Sequence, residues 1–168
     1  MTMPKSQAFQ RKSARSKDLL SRKRRVMAEA KTRKTRASVE AFLRKAAKGD
    51  RYEACKFIAD VMARTTKDKA AMWGPAIVGF GSAPITYANG DVLDWPIAAF
   101  SPRAQNIVIY GTKASPRHAQ LLKKLGKARM GGGCLYLKSL EGVDREVLEE
   151  LIVTSIHGDI ARQKAKRK

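Results

Sequence analysis

From about Ala37 onward the apolar residues fall into helical and strand-like spacings. Val39, Phe42, Leu43 and Ala46 sit at i, i+3, i+4 and i+7, one face of a short helix. Lys48-Gly49-Asp50 breaks it. Asp50 is placed to cap a second helix, with Glu53 completing a capping-box pattern. Ala54, Phe57, Ile58, Val61 and Met62 form the buried stripe of that helix, and Thr65-Thr66 end it.

The pattern then turns strand-like. Met72 to Ser82, MWGPAIVGFGS, carries no charge. Gly74-Pro75 breaks the chain there, and AIVGFG suits a buried strand. PITYAN is a second strand, closed by the turn signal Asn89-Gly90. WPIAAFS is a third, with Pro96 placing it at an edge or at its first residues, and NIVIYG a fourth. Short links make the four an antiparallel meander.

Ser115-Pro116 opens a helix with the stripe Leu121, Leu122, Leu125, stopped by Gly126. CLYLK is a fifth strand, with Leu135 and Leu137 on one side and Cys134, Tyr136 and Lys138 on the other. Asp144 caps the last helix and Val143 can staple onto Leu148. Val147, Leu148, Leu151, Ile152 and Ser155 line its inner side, and Gly158 is expected to end it. The order is α-α-β-β-β-β-α-β-α. This predicts an α+β domain, helices packed on an antiparallel sheet of about five strands.

Charge divides the 168-residue chain into three parts. Residues 1–36 carry net +11, residues 159–168 net +4 and residues 37–158 only +5, for a total of +20. Residues 1–36 hold few large apolar side chains (Phe9, Leu19, Leu20, Val26), too few to offset ordering entropy. The expected organisation is a disordered basic tail at 1–36, a folded domain at 37–158 and a basic tail at 159–168. A solvated tail is the favoured reading. The alternative is a nucleic-acid arm using Arg22, Lys23, Arg24, Arg25, Lys31, Arg33 and Lys34.

Cys55 and Cys134 lie in unrelated patterns without a Cys/His cluster, which excludes a conventional zinc site and fits a reducing cytoplasm. No apolar run reaches the ~20 residues of a membrane span, and no apolar region follows the early basic residues as a signal peptide requires. A transit peptide is a minor alternative for the Arg- and Ser-rich first 26 residues.

Three blocks, MWGPAIVGFGS, FSPRAQNIVIY and LLKKLGKARMGGGCLYLKSLEGVDREVLEELI, resemble the YdhG-like domain, a bacterial family of uncharacterised function. The resemblance runs from about Thr35 to Ile156 and implies the same α+β fold. One branch of the family is described as a frataxin-like iron chaperone. The family's Tyr-His-Tyr-type stretch is replaced here by Ala83-Pro84-Ile85-Thr86-Tyr87. Its His and Lys after Gly-Lys give way to Ala128-Arg129-Met130-Gly131-Gly132. Family members begin near MAEAKTRKTRASVEAF, so residues 1–26 have no counterpart. They are either a true basic arm or lie upstream of an initiator at Met27, which would lower the net charge to +12.

Candidate sites follow. Trp73, Tyr87, Trp95 and Arg103, with Lys127, are candidates for a small-ligand pocket, although Trp73 beside Gly74-Pro75 reads more readily as a core cap. Gly131 to Gly133 near Lys127 and Arg129 suggests a phosphate cradle, but it precedes a strand, and a turn is favoured. Asp91 and Asp94 flank the Asn89-Gly90 turn, where turn chemistry alone explains them. Glu146, Glu149 and Glu150 offer hard oxygen ligands for iron or magnesium, against the plainer reading of a solvated helix face. His118 and His157 have no paired nucleophile in the sequence, so no catalytic set forms. The expected function is a non-enzymatic small-ligand or metal-chaperone-type binding module without a resident cofactor. The alternative is non-specific nucleic-acid association through the tails.

Overall fold

The apolar stripes close onto one face of an antiparallel sheet. A computed structural model describes residues 32–86, 90–112 and 116–165. In chain order the elements are β1 (Lys34–Thr35), α1 (Val39–Ala46), α2 (Asp50–Thr66), β2 (Ala70–Trp73), β3 (Ile77–Phe80), β4 (Ala83–Thr86), β5 (Val92–Trp95), β6 (Ala98–Pro102), β7 (Ile107–Tyr110), α3 (Pro116–Leu125), β8 (Ala128–Gly131), β9 (Cys134–Leu137) and α4 (Arg145–Ala165). Seven strands form one sheet in the order β1-β2-β3-β6-β7-β9-β8, and β4-β5 form a separate two-stranded ribbon. Every pairing among the described residues is antiparallel.

The α+β class holds, but the expected strand count and order do not. WPIAAFS divides at Pro96-Ile97: Trp95 ends β5 and Ala98 begins β6. Pro96 cannot donate to a ladder, so the break falls where the chemistry demands it. Ala70–Trp73 and Ala128–Gly131 are strands that sequence periodicity passed over: the first, Ala-Ala-Met-Trp, shows no polar alternation and runs into the Gly74-Pro75 break, and the second mixes Arg with Gly. Each becomes a strand by pairing with its hairpin partner, β2 with β3 and β8 with β9.

The turn between β8 and β9 explains the glycine run. Gly131 pairs with Cys134, leaving Gly132 and Gly133 as a two-residue loop with φ of +59° and +76°. Both signs are those of a type I′ turn, which favours glycine. The turn reading of Gly131 to Gly133 therefore stands.

The core lies between the helices and one sheet face. Met72, Val78, Phe80, Phe100, Ile107, Ile109, Leu135 and Leu137 meet Leu43, Ile58, Met62, Leu121, Leu125, Leu148, Leu151 and Ile152. The predicted stripes supply most of the buried helix residues; Cys55, His118 and Ile156 are buried as well and lay outside them. Ser38 caps α1 through its Oγ, which accepts from the Ala41 N–H at 3.2 Å. Glu40 clips α1 to α2 by accepting from the Tyr52 hydroxyl at 2.7 Å, a bond that holds its carboxyl below the usual range.

Asp50 is not a cap. Gly49 holds that position at φ +52°, and Asp50 is the first helical residue, where its charge opposes the positive end of the helix. Asp144 does cap α4, its Oδ1 accepting from the Val147 N–H at 3.1 Å. Gly158 does not end α4, which continues to Ala165. Ile160, two residues beyond it, packs partly buried against the core, which helps offset the roughly 1 kcal/mol that a mid-helix glycine costs. Folded structure thus extends past both expected domain limits: Lys34 and Thr35 pair with Trp73 and Met72 at one end, and α4 runs on at the other. Ser115, expected as the α3 cap, lies outside the described residues. No helix among the described residues is long and apolar enough to cross a membrane.

Candidate functional site

The sheet face away from the helices has two unlike halves. Side chains alternate along each strand, so the residues opposite the core row share this second face. On β2, β3 and β6 they are Ala71, Trp73, Ile77, Gly79, Ala99 and Ser101. This half is closed. Trp73 is only 1% exposed, and Ala99 and Ser101 are buried. A Cβ on Gly79 would lie 2.5 Å from Trp73 Cδ1 and 2.7 Å from Pro96 Cβ, so the indole and the proline both sit against the bare glycine.

The other half, on β7, β9 and β8, carries Val108, Tyr110, Cys134, Tyr136, Arg129 and Gly131. Val108 is buried and the two tyrosines are half-buried, while Arg129 is exposed. Arg129 pairs in register with Tyr136, and its guanidinium carbon lies 4.4 Å from the ring centroid. This is within the range of a cation–π contact.

Arg103 reaches the same half from the β6–β7 turn. Its Nη2 donates to the Tyr110 hydroxyl at 2.9 Å. That bond, helped by the Tyr136 and Cys134 side chains, raises the guanidinium pKa above its ordinary value. The turn itself is tied from behind. The Arg103 N–H donates to the Asn106 carbonyl at 2.8 Å. Arg51 on α2 donates to the Ala104 carbonyl at 2.7 Å and to the Arg103 carbonyl.

A groove of about 440 Å³ opens at the end of this half, lined by Asn106, Lys127, Arg129, Tyr136, Lys138 and Glu141 among others. Lys127 is exposed and faces Glu141 at 3.4 Å. Arg129 and Lys138 add positive charge, and none of the seven strands of the sheet contains an Asp or Glu.

The described sequence-predicted ligand residues fall on different elements. Trp73 is buried on the closed half of the sheet face, and its Nε1 is buried without a partner among the described residues. Trp95 is half-buried on the β4-β5 ribbon opposite Ala83. Tyr87 lies outside the described residues. Arg103 and Lys127 both belong to the open half of the sheet. Its tyrosines and Arg129 were not joined to them from sequence, because strand register brings them together.

The glutamates of α4 do not converge. Glu149 faces Arg64 of α2 at 3.2 Å, Glu150 faces Arg117 of α3, and Glu146 is exposed in the first turn. Among the described residues no group of three or more His, Cys, Asp or Glu is arranged to hold a metal ion. Of the nucleic-acid candidates, Lys34 is exposed on β1 and Arg33 just before it, while Arg22, Lys23, Arg24, Arg25 and Lys31 lie outside the described residues.

One serine–histidine contact was invisible to sequence. Buried His118 on α3 places Nε2 3.1 Å from Thr154 Oγ1 and 3.3 Å from Ser155 Oγ on α4. Both hydroxyls donate to helix carbonyls, Thr154 to Glu150 at 2.8 Å and Ser155 to Leu151 at 2.7 Å. With both hydroxyl protons engaged on carbonyls, neither hydroxyl is arranged as a nucleophile that donates to the ring. The contact joins two helices.

No protein-family model, curated protein or solved structure matches the chain.

Proposed function

We propose that this chain is a binding module for nucleic acid, which it holds on the open half of the sheet. The observation that carries this reading is the cationic and aromatic surface built by Arg103, Tyr110, Arg129 and Tyr136 on strands without an acidic residue. Phosphate needs cations, and bases need flat rings or guanidinium planes. The basic ends, net +11 and +4, supply a second and non-specific source of phosphate contacts. The metal-chaperone reading has less support, because Glu149 and Glu150 already face arginines.

The YdhG-like resemblance remains part of the proposal. Its three blocks fall on β2-β3, on β6-β7 and on the run from α3 through β8 and β9 into α4. Those strands are hydrogen-bonded neighbours in the sheet.

Fluorescence anisotropy with a labelled oligonucleotide tests the reading. Affinity should fall steeply with added salt, with a log–log slope near −0.9 per phosphate contact on duplex and about −0.7 on single strands. Absence of binding at low salt would refute it.

A further inference from the structure

We infer that the open half of the sheet is a stacking platform for single-stranded nucleic acid, with Tyr110 and the Arg129–Tyr136 pair receiving bases and Arg103, Lys127 and Lys138 following the phosphates. This rests on the nucleic-acid reading above and narrows it to one class of strand.

Tyr110 pairs with Cys134, and Tyr136 lies two residues further along β9, so the two tyrosines are diagonal neighbours on adjacent strands. Diagonal positions are roughly 7–8 Å apart, close enough for neighbouring nucleotides to meet one ring each. Neither ring needs ordering on binding. Tyr110 is held by Arg103 at its hydroxyl, and Tyr136 carries the Arg129 guanidinium on one face. The outer side of that guanidinium is itself a plane on which a base stacks.

The surroundings select against duplex. Duplex sequence is read by a helix or β-ribbon inserted into the major groove. Here the helices pack on the opposite face of the sheet, and what remains is a floor of side chains. A paired base hides its π-face in the stack, whereas an unpaired base presents it. Stacking tolerates every base, so little sequence preference is expected.

The test uses the full chain and anisotropy with oligo-dT, oligo-U and a duplex of equal length. Single strands should bind more tightly than duplex. Tyr110→Leu with Tyr136→Leu should weaken single-strand binding by about tenfold or more with the salt slope unchanged. Tyr110→Phe with Tyr136→Phe should retain most of the affinity, since the rings remain. A cooperative thermal transition in each variant confirms folding. Equal affinity for duplex and single strand, or Leu variants that bind like the parent, overturns the platform and leaves general nucleic-acid association standing. Absence of binding to any of the three probes overturns both.

Discussion

The Arg129 guanidinium lies 4.4 Å from the centre of the Tyr136 ring, directly across the β8-β9 ladder from it. Charge and plane act together at this pair, and they are separable. Arg129→Lys keeps the charge and loses the planar stack. Arg129→Ala loses both. The lysine variant should weaken oligonucleotide binding with little change in salt slope. The alanine variant should weaken it further and flatten the log–log slope by about 0.7 on single strands. A lysine variant that binds like the parent would show that only charge matters there.

Gly79 is where the closed half of the sheet face is most sensitive. A methyl group at this position meets the Trp73 ring at 2.5 Å and Pro96 at 2.7 Å. Gly79→Ala should therefore cost about 1–3 kcal/mol through overpacking and displace the buried indole. Urea unfolding with tryptophan fluorescence measures both. Unchanged stability and an unshifted emission maximum would contradict this seating of Trp73.

Cys55 links stability to alkaline pH. The thiol is fully buried in α2, and desolvation pushes its pKa from 9.0 up to about 11. Below pH 9 the thiol is protonated in both folded and unfolded chains and has no effect on the balance. Between about 9 and 11 the unfolded chain ionises first, so stability falls as pH rises, by about 2–3 kcal/mol in all. Other groups titrate in that window, so the comparison is with Cys55→Ala. The parent should lose more stability than the variant from pH 8.5 to 11. Parallel stability–pH curves would rule out this role for the thiol.

Much of the fold was legible because its helices are amphipathic. The stripe from Ala54 to Met62 and the alternation Leu135-Tyr136-Leu137 identify a buried face without any partner in view. The missed strands lack that local signature. Ala70–Trp73 has two alanines, and Ala128–Gly131 mixes Arg with Gly, so only pairing makes them strands. Gly158 misled for the same reason: a glycine stops a helix unless tertiary burial beyond it, here of Ile160, carries it on. The open sheet face was half legible. Arg103 and Lys127 stood out, but Tyr110 sits inside the apolar run NIVIYG. Its kinship with Tyr136 is a matter of register between segments 26 residues apart.

The α4 glutamates bear on the iron-chaperone expectation. A cation would have to displace Arg64 from Glu149 and Arg117 from Glu150 in a chain of net charge +20. Anaerobic calorimetry with Fe²⁺ should give micromolar affinity or weaker. Glu149→Ala with Glu150→Ala should leave that result unchanged. Tight stoichiometric binding abolished by the double variant would restore the metal reading.

The sheet face and the tails make different demands on one measurement, an amide NMR titration of the full chain with oligo-dT. The expected result is a set of shifts concentrated on β7, β8 and β9, led by Tyr110, Arg129 and Tyr136, with the helix face still. Shifts confined to residues 1–31 and 166–168, or centred on the helices, would contradict a binding surface on the open half of the sheet.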